Sequence, residues 1–186
     1  HRLREACGGN FKKLRGIIEI DETYVGGLEG NKHENRKLKA GRGPVGKKAV
    51  IGMRERGKDG RTLAFVAEDV DLPTVHTAIY KHVEQGSTVH SDEAMVYDGI
   101  GGLFFNHATI NHSAKEYTRG DVTTNSIESV FAVLKRGLIG VYHHASPKHL
   151  GRYVNEFAFR LNEGNVRRMT LDRLNDFITG TRFKRL

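Results

Sequence analysis

Three acidic residues, Asp21, Asp92 and Glu128, fall where rigid backbone can aim side chains into a single cleft. Asp21 lies within or near the end of a β-rich run, GIIEIDETYVGG, Asp92 closes a shorter one, STVHSD, and Glu128 sits in the first turn of a helical segment that starts at Asn125. Carboxylates gathered from separate elements make a hard oxygen site suited to magnesium or manganese. Two such ions about 3.5–4 Å apart activate a nucleophile and stabilise charge on the entering and leaving oxygens of a phosphodiester. Roughly 35 residues separate Asp92 from Glu128, and Lys135 follows Glu128 by seven, nearly two helical turns, so Lys135 projects from the same face and could hold a phosphate beside the metals.

Each residue also has a plainer reading. Asp21 is equally an exposed acid at a strand end, with Glu22 a neighbour of no consequence. Asp92, ahead of EAMVYDG, could belong to a helix cap, and Asn125-x-x-Glu128 has the form of a capping box, in which the glutamate reaches back to a backbone N–H. His90 shares a strand face with Asp92, but imidazole is a poor ligand for magnesium and packing is the simpler role.

The elements that must position these groups follow from the hydrophobic pattern. After the run carrying Asp21 comes a basic loop, Asn31 to Lys48, with almost no apolar residues, expected to be mobile when free. AVIGMRERG and TLAFVAEDV read as two strands joined by a hairpin turn across Lys58-Asp59-Gly60. Pro73 to Gln85 reads as a helix, with Val75, Ile79 and Val83 at four-residue spacing and Gly86 closing it. The strand ending at Asp92 and an extended stretch over residues 103 to 112 follow. Ile127, Val130, Phe131 and Leu134 then form one apolar helical stripe, and Leu150, Tyr153, Val154, Phe157, Ala158 and Leu161 form another, entered through Ser146-Pro147. The order predicts an α/β, ribonuclease-H-like fold, in which a mixed central sheet, three antiparallel strands then parallel ones, is flanked by helices.

The composition suits a polyanion as partner. Among 186 residues, Lys+Arg number 30 against Asp+Glu 22, a formal charge of +8, and cations gain affinity for nucleic acid by releasing counterions condensed on phosphates. The single cysteine, Cys7, rules out a disulfide framework within the chain and a structural zinc site made of several thiolates. No apolar run is long enough for a membrane span and the first residues are too charged for a secretory signal, so a cytoplasmic setting is expected. We expect one catalytic domain over residues 16–165, preceded over 1–15 by the tail of an upstream region or linker and followed over 166–186 by a basic helical tail.

The strings IIEIDETYVGG, GRGPVGKKAVIG, VHSDEAMVYDG, TNSIESVFAVLKRGLIGVYHH and SPKHLGRYVNEFAFRLN, in this order from about Gly16 to Asn162, strongly resemble transposases of bacterial insertion sequences of the ISXO-two-like branch. The resemblance implies a DDE-plus-lysine set, here Asp21, Asp92, Glu128 and Lys135, and a fold and chemistry akin to those of retroviral integrases. It implies hydrolysis at the ends of the element, attack of the freed 3′-OH on target DNA, and one or, more in keeping with that chemistry, two Mg2+ or Mn2+ ions. Asp21 and Asp92 would contact the metals most directly, Glu128 would complete the second ion's shell, and Lys135 would position DNA. The partners implied are double-stranded DNA, as transposon ends and target, and further copies of the chain in the active complex, with no membrane. Such proteins usually carry an upstream zinc ribbon and often a helix-turn-helix. Neither is present here, so no zinc is expected and the chain reads as an isolated catalytic domain or a truncated copy.

Candidate DNA contacts are Arg42, Lys47 and Lys48 in the basic loop, which also holds Lys32, Arg36, Lys37 and Lys39, then Arg136, His143, His144, Lys148 and Arg152. Tyr24, Tyr97 and Tyr142 could stack on DNA or pack locally. Two other functions share these features: a stand-alone metal-dependent nuclease, and a DNA-binding module that has lost cleavage.

Overall fold

Strands that are apolar on both faces demand cover on both sides of the sheet, and the chain provides it with helices from different parts of the sequence. A computed structural model describes residues 2–8, 12–27, 29–38, 43–57, 60–101, 105–110 and 120–162, with 171, 172, 175 and 178. In chain order the elements are α1 (Arg2–Ala6), β1 (Ile17–Val25), β2 (Lys48–Glu55), β3 (Thr62–Ala67), α2 (Leu72–His82), β4 (Thr88–Asp92), β5 (Asn106–Ile110), α3 (Asn125–Gly140) and α4 (Pro147–Asn162).

The sheet runs β3-β2-β1-β4-β5. The β1–β2 and β2–β3 pairs are antiparallel, whereas β4 runs parallel to β1 and β5 parallel to β4. This is the mixed sheet, three antiparallel strands then parallel ones, that the order of segments predicts. Alternation assigns the two faces. Ile18, Ile20, Ile51, Met53, Leu63 and Val89 point toward α2, where Val75, Ala78 and Ile79 close one core. Val50 and Ala64 point the other way, onto Ile127, Phe131 and Leu134 of α3 and Leu150 and Val154 of α4. Burying a side chain such as Ile127 contributes roughly 1.5–3 kcal/mol, so both layers are held mainly by apolar cover.

Several boundaries differ from the sequence reading. Helix α2 begins at Leu72, with Asp71 capping the N–H of Thr74 at 2.9 Å, and stops at His82 instead of Gln85. Val83 turns extended there because it is drawn into a parallel bridge with Leu14. Leu14 is 2% exposed and belongs to the core, so ordered packing begins ahead of residue 16. Cys7 is buried as well, and α1 is fastened to α4 by Arg4, whose Nε lies 2.5 Å from Glu156 and whose guanidinium stacks on Tyr142 and Tyr153. Of the extended stretch 103–112, residues 106–110 form β5 and 103, 104, 111 and 112 lie outside the described residues, as do Lys58, Asp59 and most of the proposed C-terminal tail. Among the described residues no helix is long and apolar enough to cross a membrane.

Candidate metal and nucleic-acid site

Parallel pairing of β1 with β4 runs from Ile17–Thr88 to Glu19–His90 and stops there. Asp21 and Asp92 each lie two residues further along their strands, on the same face as Glu19 and His90. The two aspartates therefore flank the point where adjacent parallel strands part, beyond the last backbone hydrogen bond between them. Crevices at the carboxyl ends of parallel strands are where open α/β sheets bind ligands. Asp21 stands well inside β1, which continues to Val25 because its other edge stays paired to β2.

Helix α3 brings the third carboxylate. Asp21 is paired across the sheet with Gly52, and a Cβ on Gly52 would sit 2.7 Å from Ile127 Cδ1 and 2.8 Å from the Phe131 ring. The bare backbone at Gly52 lets the first turns of α3 lie directly on β2, beside Asp21. Glu128 is exposed on that turn. The alternative reading, a capping box with Asn125, does not describe it, since the Asn125 N–H donates to the Thr123 hydroxyl at 3.1 Å. The cap residue is Thr124, whose side chain makes no cap hydrogen bond, and whose hydroxyl donates to Glu128 Oε1 at 3.0 Å.

The electrostatics match a cluster of acids without a counter-charge. Burial pushes the Asp21 carboxyl up to about 7, and the charges of Glu22, Asp92 and Glu128 add to the rise. Its one described hydrogen bond comes from the Glu22 N–H at 2.8 Å, and Asp92 accepts from the Ala94 N–H at 3.0 Å. No described cation pairs with either aspartate. Among the described residues, however, no three His, Cys, Asp or Glu side chains converge into a closed metal-binding group. The charges of Asp92 and Glu128 reach Asp21, while the three carboxylates remain apart.

Sequence reasoning passed over several neighbours. Glu22 faces the opposite side of β1, where the buried Tyr97 hydroxyl donates to it at 2.5 Å, and burial holds the Glu22 carboxyl above its usual range. The Tyr97 phenol is likewise held well above its ordinary value by burial and by the charge of Glu22, so Tyr97 is a packed residue and presents no ring to DNA. Glu19, wholly buried, accepts hydrogen bonds from the start of α3 and from Arg56. An acid at every second position of EIDE on a strand was the available signal, since alternate residues share a face. His90 is buried beside Arg56 and Glu19, and its Nδ1 has no hydrogen-bond partner among the described residues; burial and the Arg56 charge depress its pKa. Packing is its evident role.

The predicted DNA contacts divide by their partners. Lys135 and Arg136 on α3, His143 and His144 after it, and Lys148 at the start of α4 are exposed and have no intramolecular side-chain partner among the described residues. His143 adopts φ 57, an unusual left-handed conformation for a residue with a side chain. By contrast Lys48 pairs with Glu68 at 3.1 Å, and Arg152 with Glu5 at 2.9 Å and His149 Nδ1 at 2.8 Å. Lys47 is half-buried against Gly26, while Arg42 and Lys39 lie outside the described residues. Elsewhere in the loop Lys32 pairs with Glu29 and Lys37 with Glu34, and Arg36 is exposed. Tyr142 packs edge-on against Tyr153 and donates to Glu156, whereas Tyr24 is partly exposed.

Residues 13–162 match the ISXO2-like transposase domain. An uncharacterised protein in the transposable element ISH50 of Halobacterium salinarum is 28% identical over 168 residues, 86% of this chain and 56% of that protein. The chain thus spans about half the length of the curated relative it matches. Among solved structures, the catalytic core domain of BIV integrase aligns with a TM-score of 0.48 and 12% identity, over 90% of this chain and 98% of that one. A chain of the simian T-cell lymphotropic virus intasome in complex with the PP2A regulatory subunit B56 gamma aligns with a TM-score of 0.38 and 11% identity, over 82% and 50%.

Proposed function

The chain belongs to the ISXO2-like transposase domain family, and on that premise we propose that Asp21, Asp92 and Glu128 hold divalent metal for cutting and rejoining DNA. The supporting observation is the placement of Asp21 and Asp92 where β1 and β4 part, with Glu128 near enough to raise the Asp21 pKa.

The donor set fits magnesium or manganese. All three groups are hard oxygen ligands from three separate elements, and no described protein cation neutralises the two aspartates. Mutual repulsion keeps like carboxylates apart, and a divalent cation is the species that would draw them together. Two ions bound there would supply an activated nucleophile and charge stabilisation at the entering and leaving oxygens. The chain's own groups do the rest. Asp21 and Asp92 anchor the site on rigid strands, Glu128 completes it from the helix, and Lys135, two turns along the same helical face, holds a DNA phosphate in register. The reaction is hydrolysis at the ends of the element followed by attack of the released 3′-OH on target DNA, with further copies of the chain in the DNA complex.

Cleavage of end-labelled element DNA in magnesium tests the assignment. Asp92→Asn keeps the size of the side chain and removes its charge, and is expected to lower the cleavage rate by at least about a hundredfold. Unchanged magnesium-dependent cleavage in that variant refutes the carboxylate site. Joining of pre-cleaved ends to target DNA separates a transposase core from a nuclease confined to hydrolysis.

A further inference from the structure

We propose that Glu19 is the positioning residue for Glu128, clamping the start of α3 to the strand that carries Asp21. The inference rests on the metal-binding reading of Asp21, Asp92 and Glu128 and explains how two elements distant in sequence are held in register.

A helix start leaves several backbone N–H groups without partners, and a side chain at the cap position commonly satisfies one of them. In α3 that position is Thr124, and its side chain does not do so. Glu19 takes over from β1, on the sheet face that α3 covers. Its Oε2 accepts the N–H of Ser126 at 2.7 Å and of Ile127 at 3.2 Å, and its Oε1 accepts the Ser126 hydroxyl at 3.2 Å. Arg56 closes the arrangement, donating from Nε at 3.2 Å and Nη2 at 3.1 Å to Glu19 Oε1. The same guanidinium donates to the carbonyls of Asp121 and Thr123, in the segment that leads into α3.

This arrangement is an expensive way to cap a helix. Glu19 is 0% exposed, and a buried carboxylate must regain in hydrogen bonds and charge pairing what it loses in hydration. A local Ser, Thr or Asp cap would satisfy the helix without that penalty. What the remote cap adds is register. Glu19 lies two residues before Asp21 on the same strand face, and Ile127 lies one residue before Glu128, so the Glu19 carboxylate ties the backbone next to one proposed ligand to the strand segment that carries the other. Relief of Thr124 from capping leaves its hydroxyl to hold Glu128 Oε1. Glu19 itself touches neither metal nor DNA in this scheme.

Manganese binding to the full chain, followed by the paramagnetic resonance of free Mn2+, tests the proposal, with urea unfolding to confirm that each variant is folded. Glu19→Gln is expected to weaken binding roughly tenfold, the scale on which groups that orient metal ligands act. The decisive readout is the double-mutant cycle. If Glu19 acts through Glu128, Glu19→Gln added to Glu128→Gln weakens binding no further than Glu128→Gln alone. If Glu19→Gln does not fold, Arg56→Lys decides the matter. It keeps the charge but loses the fork that grips Glu19 and the two carbonyls, and is expected to show the same non-additive loss. Wild-type affinity in the folded variant, or losses that multiply with Glu128→Gln, overturns the proposal. Asp21→Asn is the control: if it too binds manganese like wild type, the carboxylate site itself is wrong, a failure separate from that of the clamp.

Discussion

Asp21 is a half-buried acid among acids, and in the metal-free protein it works against folding. Its carboxyl is raised to about 7, whereas an unfolded aspartate titrates near about 3.9. Between those values the native state holds a proton that the unfolded chain has released, so metal-free stability falls as pH rises through this window and the full penalty is present above it. Asp21→Asn is therefore expected to stabilise the metal-free protein by about 1–3 kcal/mol at about pH 8 and by much less at about pH 5. Urea unfolding with chelator at the two pH values measures this; an equal effect at both would contradict the raised pKa. The same variant should abolish stabilisation by added manganese, the expected trade between a strained functional group and stability.

At the scale of elements, two glycines, Gly52 on β2 beneath α3 and Gly137 within α3, separate packing from function. A Cβ at Gly52 would meet Ile127 and Phe131 at 2.7–2.8 Å, directly beneath the turn that carries Glu128. A Cβ at Gly137 would lie 2.0 Å from Phe157 Cζ of α4. Both Ala substitutions overpack a filled space, which costs about 1–3 kcal/mol or more. Gly52→Ala lifts the start of α3 away from Asp21 and should weaken manganese binding by the folded protein; Gly137→Ala should destabilise without changing that affinity. Equal manganese affinities for the folded forms of both would show that the seating of α3 on β2 does not set the site.

The whole molecule carries a formal charge of +8, yet its cations are not equivalent. Lys135 and Arg136 are exposed without side-chain partners among the described residues, while Arg152 is engaged with Glu5 and His149. Replacing a phosphate contact lowers the slope of log affinity against log salt by about one and weakens binding evenly across sequences. Lys135→Ala and Arg136→Ala are each expected to do so in anisotropy titrations over a range of salt. Arg152→Ala should leave the slope unchanged and act instead on the docking of α1 against α4. A lowered slope for Arg152→Ala and none for Lys135→Ala would place the DNA track on the other side of the molecule.

Much of the fold was legible in the residues. Period-two strands and period-four helical stripes reflect local geometry, so their order predicted the mixed sheet and its helical layers. The carboxylates Asp21, Asp92 and Glu128 were visible as acids at strand and helix positions, because rigid backbone is where such groups can be aimed. The basic charge was plain in composition. What tertiary structure alone decided was pairing across long sequence separations. It set where β1 and β4 part, which cations are spent on Glu5 and Glu68, and why α2 stops at His82, where Val83 is taken by Leu14. It also turned Glu19 from one more acid on a strand into the remote cap of α3, since hydrogen bonds between residues more than a hundred positions apart leave no local pattern. The chemistry of the three carboxylates is written in their side chains; their shared neighbourhood exists only once the sheet and α3 have closed on each other.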